Sequence, residues 1–539
     1  MSQRTPKTNY WKDAPVPREQ LVLIPTALEE CIPVDHPVRL VDEILDRLDW
    51  KQWEAAYHGS FGQPPIHPSV MAKILLFAMI RRIRSSRSIE YQLKHSIDFI
   101  WLASGRKIDY STISQFRRKH TQELRGIFQQ MIKLAINLGI ANLSELCIDG
   151  TRVLADANKY KSWTAARLAK VLAQLDSQIA EALQTLETND ALDQDLLGQD
   201  VSADRLPAAI SDLKARREQL ADVMRTAEAM DETRKKNGSK GPAQIPKTDT
   251  DARILPNKEG GFAPNYTPMV TTETQSGLIV HCGVMIGNVE HDQLSTILDC
   301  VAEDFEVNIE RAIADSAYIT GENLTAAESK SVELVGPLAE PKCVDNPAIR
   351  EDLTQPVAPE RIKDLPINPQ SKRFDKSAFV YDEASDCYYC PAGKQLHHRM
   401  TDHTTNRGDK RVQRQIYTCQ ECVGCPLAAL CRKNPESKGS QPNRQGREVM
   451  HDEHDAARRR QRARMKTSEA QAAYAKRQHL GELPFAVIKT MFGMRRFLLR
   501  GQAGVSQEWQ WASTGFNLTR LMKHISATQS ASSANAAMA

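Results

Sequence analysis

Apolar residues recur at helical spacing through the first quarter of the chain. The stretch HPVRLVDEILDRLDW, which begins at His36, and the run from Pro68 to about Leu138 repeat apolar side chains every three or four positions. That spacing places them on one face of a helix. The pattern predicts an all-α domain over residues 1–140.

Basic residues follow one of these predicted helices. In IDYSTISQFRRKH we expect Ser111 to cap the helix and Arg117, Arg118 and Lys119 to form a basic stripe one to two turns later. Such a helix fits a helix-turn-helix DNA reader, and it also fits a plain helical bundle. The pattern leaves both interpretations open.

The pattern then alternates between strands and helices. A short apolar strand, ELCIDG, begins at Glu145, and two long heptad-like helices follow between about 162 and 236. From Tyr266, YTPMVTTET and GLIVHCGVMI meet at TQSG, which predicts a hairpin. The segments HDQLSTILDCVAEDF, RAIADSAY, GENLTAAESK and VELVGPL then predict helix, strand, helix and strand. This order predicts a mixed α/β sheet interrupted by a helical hairpin.

Composition and charge narrow the class of protein. The chain has 539 residues, 41% hydrophobic and 26% charged, with no run of about 18 apolar residues and a start, MSQRTPKTNYWKD, too polar for a secretory signal. We therefore expect a cytoplasmic protein with reduced cysteines and no membrane partner. The net charge of +4 conceals basic clusters that an acidic segment offsets; four such clusters favour nucleic acid as partner. They are Arg81–Ser88, Phe116–His120, Arg458–Lys466 and Met494–Arg500.

Two aspartates stand at matching positions, each after a short apolar strand. Asp149 ends ELCID, and Asp315 ends RAIAD. The ends of neighbouring strands converge in an α/β sheet, so these carboxylates should meet. Two close carboxylates stay ionised together only if a cation compensates them. A divalent metal suits this pair and suits phosphoryl displacement.

A third acid is expected downstream. Glu482 precedes Lys489 by seven residues, about two helical turns, so both side chains should share a face. Tyr474 and Arg477 lie just before them. Glu508, among the aromatic residues of VSQEWQW, is the rival acid.

These motifs together resemble those of the DDE transposases of bacterial insertion sequences, in the branch with an InsH-like helical N-terminal domain. IDGTRVLADANKY is similar to the first-aspartate motif, IADSAYITGENL to the second, and YAKRQHLGELPFAVIK to the third. The resemblance covers about residues 20–525. Four residues separate Arg477 from Glu482, where many relatives have three, and the strand NYTPMVTTET departs from the relatives' YNxQ.

The resemblance implies a split RNase H-like core in which Asp149, Asp315 and Glu482 hold Mg²⁺ or Mn²⁺. It also implies that Lys489 and Arg477 orient DNA phosphates and that Tyr474 contacts an exposed nucleotide. The expected function is transposition: binding double-stranded DNA at the element's terminal inverted repeats, cleaving a strand and joining the 3′-hydroxyl to target DNA, as a homodimer beside the nucleoid. A metal-dependent DNA nuclease and an inactive DNA-binding protein are the alternatives.

Six of the eleven cysteines lie within 45 residues. Paired C-x₂-C spacing predicts a structural Zn²⁺ site in a small zinc-ribbon-like insertion. Spacing favours Cys387, Cys390, Cys419 and Cys422 as ligands, whereas the resemblance favours Cys390, Cys422, Cys425 and Cys431.

The expected organisation combines these elements. In order, the segments are a helical DNA-binding domain (1–140), the first part of the core (141–161), a helical-hairpin insertion (162–240), the continued core (250–342), the cysteine-rich insertion (343–450), terminal helices that complete the core (451–525) and a disordered tail (526–539).

Overall fold

The computed structural model describes residues 27–57, 65–197, 208–236, 238–239, 241–257, 260–287, 291–340, 345–405, 411–433 and 446–538. The chain divides into two units, Met1–His120 and Thr121–Ala539. Cys343 lies outside the described residues, as does most of the polar connector between the two long helices. No helix within the described ranges has the length and apolar character needed to cross a membrane.

The first unit is helical throughout its described part, as its apolar period predicts. Its central helix is α3 (Pro68–Ile80). Most side chains of α3 are buried on all sides, including Met71, Leu76 and Phe77, because neighbouring helices cover every face. Its helices are α1 (Pro37–Asp46), α2 (Lys51–Ala55), α3 (Pro68–Ile80), α4 (Ser86–His95), α5 (Ile97–Leu102) and α6 (Tyr110–Arg118), after a 3₁₀ turn at Leu28–Cys31.

Two segments that periodicity predicts as single helices are each broken in two. Ser96 has an extended backbone between α4 and α5. His120 has a left-handed φ of 67° where α6 would have continued, and its ring packs beside those of Trp53 and Phe116. The N-cap of α6 is Asp109, which accepts from the backbone N–H of Thr112, so the prediction of Ser111 as the cap is wrong.

The second unit begins earlier than the sequence predicts, at residue 121 rather than 141. Its first helix, α7 (Thr121–Asn137), packs on the last helix, α15 (Gly501–Met538). Thr121 Oγ1 donates to Gln507 Oε1 over 2.6 Å. The structure also continues α15 to Met538, where the sequence predicts a disordered tail over 526–539. That segment contains neither Gly nor Pro, so nothing in it stops the helix.

A mixed sheet forms the centre of the second unit, and its strands follow the expected order along the chain. Strand β1 lies between antiparallel β6 and parallel β8, and β9 continues the parallel side. The strands are β1 (Glu145–Gly150), β2 (Val153–Leu154), β5 (Arg253–Pro256), β6 (Phe262–Glu273), β7 (Ile279–Met285), β8 (Arg311–Ala314) and β9 (Glu333–Val335), with helices α10 (Leu294–Phe305) and α11 (Gly321–Ser329) and a 3₁₀ turn at His291–Gln293.

The β6–β7 hairpin turns at TQSG, as predicted. The buried carboxylate of Glu273 accepts from the backbone N–H groups of Gln275 and Ser276, and Gly277 takes a φ of 68°. A side chain at Gly277 would be strained by that backbone, so the turn needs a glycine.

Two insertions interrupt the sheet. The first is a helical hairpin, α8 (Ala165–Leu197) and α9 (Ala208–Lys236), which packs through Leu168, Leu220 and Ala227. Its base is closed by β3 (Ser162–Trp163) pairing with β4 (Ile245–Pro246).

The second insertion is an antiparallel five-stranded sheet with an aromatic core that includes Phe374, Tyr388 and Tyr417. Its elements are β10 (Val380–Asp382), β11 (Cys387–Tyr389), β12 (Gln395–Thr405), β13 (Arg411–Thr418), α12 (Ala428–Cys431) and β14 (Glu448–Asp452), with 3₁₀ turns at Pro359–Asp364 and Lys376–Ala378. Helices α13 (Asp455–Arg464) and α14 (Ser468–Ala486) then return to the central sheet, followed by a wide π-helical turn at Val487–Met491.

Candidate active site and cysteine centre

The two aspartates lie at neighbouring strand ends. β1 and β8 are parallel, with Ile148 opposite Ala314. Asp149 follows Ile148 on β1, and Asp315 follows Ala314 at the end of β8, so both aspartates lie at the same edge of the sheet. This is the convergence that the sequence predicts.

A single arginine joins the two carboxylates. Nη2 of Arg477, on α14, lies 3.1 Å from Asp149 Oδ1 and 3.6 Å from Asp315 Oδ2. Its Nε is buried and has no hydrogen-bond partner among the described residues. Arg477 therefore supplies the positive charge that two close carboxylates require.

The two aspartates differ in exposure. Asp149 is buried, and its Oδ1 accepts from the backbone N–H of Gly150 over 2.9 Å. Burial raises the pKa of Asp149, although the nearby Arg477 acts in the opposite direction. One third of the Asp315 side chain is exposed, and it accepts from the N–H of Ala317. The site thus has one dry and one solvent-facing carboxylate.

Gly481 allows α14 to approach the buried aspartate. A Cβ atom at this position would lie 2.8 Å from Asp149 Oδ2, closer than side-chain atoms tolerate. Thr272 fixes the same helix, because its Oγ1 donates to the carbonyls of Cys147 and Leu480. The sequence reasoning missed both residues; a glycine in mid-helix was the available signal.

Glu482 follows Gly481 on α14 and is exposed. Across the described ranges, no group of three or more His, Cys, Asp or Glu side chains is arranged to hold a metal ion. The structure thus brings together two of the three predicted acids. The negative charge of Asp149 and Asp315 suits a bound cation, since the two carboxylates already share one positively charged partner, Arg477.

Lys489 and Tyr474 contact the strands beneath the helix. Lys489 Nζ donates to Thr151 Oγ1 over 2.6 Å and to the Arg152 carbonyl over 2.8 Å. It lies in the π-helical turn, so the seven-residue step from Glu482 is not two regular α-helical turns. Tyr474 packs against the cluster around Cys147 rather than facing only solvent.

Glu508 has a structural role. It is buried, and its Oε2 accepts from the backbone N–H groups of Leu498 and Leu499. Those contacts hold the turn that precedes α15, so Glu508 is not at the aspartate edge.

The basic clusters have different surroundings. On α13 the arginines meet protein carboxylates: Arg460 pairs with Glu328, and Arg462 with Glu340. In the first unit, Arg117 donates to the Arg84 carbonyl over 2.5 Å, whereas Arg118 and Lys119 are exposed. The sequence could not distinguish paired from exposed arginines.

Five cysteines line one small cavity of about 20 Å³, although among the described residues they do not form a group arranged to hold a metal ion. Backbone N–H groups of Lys394 and Arg447 donate to the Sγ atoms of Cys390 and Cys422. A hydrogen bond from Cys419 lowers the pKa of Cys422 to about 6, which favours its thiolate. The lining cysteines are Cys390, Cys419, Cys422, Cys425 and Cys431.

Cys387 does not line this cavity. It lies on β11, where burial raises its pKa. The ligand set favoured by spacing alone includes Cys387, and this geometry contradicts that set. The set favoured by the resemblance lies wholly at the cavity.

Two segments match known protein families. Residues 389–522 match the family described as Transposase DDE domain, and residues 26–119 match the one described as Transposase domain (DUF772). No curated protein sequence matches the chain. The second match ends at the boundary between the two units.

Solved structures show only distant similarity. The piggyBac transposase synaptic complex with hairpin DNA aligns over 93% of this chain and 77% of that chain, at 9% identity and a TM-score of 0.32. A Mos1 transposase paired-end complex with left transposon end aligns over 54% of this chain and 67% of that chain. A Mos1 mariner paired end complex with Mn aligns over 57% of this chain and 70% of that chain. Both alignments have 8% identity and a TM-score of 0.14.

The mixed α/β unit and the two family matches define the class of protein: an enzyme that binds DNA and cuts and joins its strands. Both matched segments are consistent with a DDE transposase of an insertion sequence.

Proposed function

We propose that this transposase binds the terminal inverted repeats of an insertion sequence and uses Asp149, Asp315 and Glu482 at one edge of an RNase H-like core. The carrying observation is that Asp149 and Asp315 end parallel strands in register and share one cation, Arg477. Glu482, the acid next to Gly481 on α14, is the third acid of this proposal.

A divalent ion, Mg²⁺ or Mn²⁺, would be held by these carboxylates and would polarise the phosphate and its attacking oxygen. The side chains of this chain do the rest. Asp149, fixed by the Gly150 N–H, presents its carboxylate from a dry site, where electrostatic interactions are strong. Lys489 is held at Thr151, two residues after Asp149 at the end of β1. The side chain of Arg477 can turn from the two carboxylates to a flanking phosphate.

Water attacks a phosphodiester at the element's end, which yields a 3′-hydroxyl and a 5′-phosphate. The 3′-hydroxyl then attacks a phosphodiester of target DNA and displaces a 3′-hydroxyl of the target strand. Each step forms one phosphorus–oxygen bond and breaks another, so the reaction requires no covalent protein intermediate and no ATP. Two element ends must be joined, so we propose that a homodimer carries out the reaction, at the nucleoid.

We propose further that the cysteine cavity binds a structural Zn²⁺ through Cys390, Cys422, Cys425 and Cys431, with Cys419 hydrogen-bonded to Cys422. What supports this is the presence of five cysteines around one cavity, the N–H groups aimed at two sulfurs and the lowered pKa of Cys422. The ion would hold the insertion's turns together and would leave no open position.

The test is cleavage of a labelled duplex that carries the element end, in Mg²⁺ and in EDTA. Wild type should cut only with metal, and Asp149→Asn, Asp315→Asn and Glu482→Gln should bind the duplex without cutting it. Adding target DNA distinguishes a transposase from a nuclease, because only the transposase yields joined product. Normal cutting by Glu482→Gln would place the third acid elsewhere.

A further inference from the structure

Charge is distributed unevenly along the first unit. Residues 27–80 contain eight acidic and four basic side chains, whereas residues 81–119 contain three acidic and ten basic ones. The first stretch forms α1 to α3, and the second forms α4 to α6. Four of the ten basic residues therefore lie on α4 and α6, and the other six lie in the segments that precede or follow these helices.

The three acids of the basic stretch are already engaged. Glu90 pairs with Lys94 over 2.7 Å on the same helix, Asp98 is buried, and Asp109 caps α6. They therefore do little to offset the exposed cations around them. Exposed basic residues of this stretch include Arg81, Arg82, Arg87, Lys107 and Arg118.

One exposed stripe runs along α6. Ser111, Gln115 and Arg118 are all exposed and are spaced four and three residues apart, so they share a side of the helix. Arg117 is not part of it, because its guanidinium is directed to the Arg84 carbonyl. Hydroxyl, amide and guanidinium groups are the ones that read base edges in a major groove.

Helix α4 adjoins the start of this stripe. The Arg87 guanidinium lies over the ring of Tyr110, the first residue of α6, at 5.1 Å. One turn along α4, Tyr91 is 60% exposed, so its ring and hydroxyl are accessible on the same side as Arg87. Arg87 and Tyr91 thus extend the surface of α6 sideways with a cation and an aromatic hydroxyl.

We propose that duplex DNA binds across α4 and α6, with Ser111, Gln115 and Arg118 in the major groove and Arg87 and Tyr91 at the sugar–phosphate backbone. This inference rests on the proposed function and locates its DNA-reading surface. It also assigns Arg117 a positioning role, in which it holds the turn before α4. An α-helix fits the width of a B-form major groove, and phosphate contacts fix its register.

The experiment measures equilibrium binding of the full-length protein in EDTA, by fluorescence anisotropy, to an element-end duplex and to a scrambled duplex over a range of salt concentrations. Arg87→Ala and Arg118→Ala should each lower the slope of log K against log salt by about one. Gln115→Ala should reduce the preference for the element end about 5- to 150-fold while leaving the slope unchanged.

The matched control is Arg47→Ala, at the residue that follows α1. Arg47 is exposed and pairs with Glu43 at the i,i+4 spacing, and its substitution removes the same charge as Arg87→Ala or Arg118→Ala. It should leave slope and preference unaltered, and thermal melting should confirm that every variant is folded. Unchanged slopes in Arg87→Ala and Arg118→Ala, or an equal loss in Arg47→Ala, would overturn the inference, as would tighter binding to duplex RNA.

Failure of this inference differs from failure of the proposed function. If wild type binds the element end through this surface but never cuts it, the surface stands and the catalytic proposal falls. If wild type cuts and joins while all three substitutions leave binding intact, the catalytic proposal stands and the DNA-reading surface lies elsewhere.

Discussion

The two ends of the parallel strands differ in how fully their carboxylates are paired with cations. Where β1, β8 and β9 begin, Arg311 reaches three carboxylates: Glu145 at 3.1 Å, Glu333 at 2.6 Å and Glu469 at 2.5 Å. All three guanidinium nitrogens have acceptors. Lys476 adds a second cation to Glu145.

Where the same strands end, compensation is incomplete. Asp149 and Asp315 share one nitrogen of Arg477, whose Nε is buried without a partner in the described part of the chain. The first cluster is satisfied by its own residues and holds strands and α14 together. The second remains short of positive charge, which is the condition expected of a site that binds a cation and a phosphate.

The largest expected effect is on activity at the under-compensated end. Asp149→Asn and Asp315→Asn keep the shape of the side chain and remove its charge, so strand cleavage should fall at least about 10²-fold while DNA binding persists. Single-turnover cleavage of the element-end duplex measures this. Glu145→Gln, at the other end of β1, is the control and should cut at close to the wild-type rate per folded molecule.

The next effect is on stability. Arg311→Met leaves three carboxylates facing one another, so the free energy of unfolding in urea should fall by roughly 1–3 kcal/mol; the arginine is about one quarter exposed, so the loss is below that of a fully buried pair. Arg477→Met leaves two carboxylates and should cost less. An equal or larger loss for Arg477→Met would remove the distinction between the two ends.

A smaller effect concerns metal affinity. Arg477 holds the position between two carboxylates that a metal ion would share, so Arg477→Gln should bind Mn²⁺ more tightly, by about tenfold or 1.4 kcal/mol. Electron paramagnetic resonance of free Mn²⁺ reads this without any turnover. Arg477→Lys, which keeps a cation, is the matched control. Weaker binding in Arg477→Gln would mean that the arginine helps to assemble the metal site instead.

The sequence predicted much of this architecture, because each strand-end aspartate follows a run of apolar residues and register depends on such local patterns. It also found the helical hairpin and the cysteine insertion. It did not find Gly481 or the ion pair of Arg477 with the aspartates. Spacing along one helix carries no information on how closely that helix approaches a strand.

The helix ends show the same limit. Apolar period continues through Ser96 and His120, so it predicts unbroken helices there, yet the backbone leaves the helical conformation at both residues. The α13 arginines are as basic in sequence as Arg87 and Arg118, but carboxylates distant in the chain engage them. Tertiary contacts decide which charges are left for a partner.

The smallest effect is a difference in pH dependence between two carboxylates of β1. Burial raises the pKa of Asp149, so its ionisation in the folded protein costs stability that is absent below its ordinary pKa of 3.8 and develops as the pH rises through the folded value. Burial alone would also raise the pKa of Glu145, but hydrogen bonds from Lys476 and Arg311 lower it below its ordinary value of 4.5. Ionised Glu145 therefore stabilises the folded protein above pH 4.5, and this stability is lost as the pH falls through the folded pKa. In EDTA, Asp149→Asn should therefore be more stable than wild type at neutral pH, and Glu145→Gln should be less stable than wild type. Urea unfolding from about pH 4 to pH 8 should show both differences shrinking on acidification from opposite sides of zero. If both substitutions destabilise alike, Asp149 is compensated as fully as Glu145, and the contrast between structural and functional strand ends does not hold.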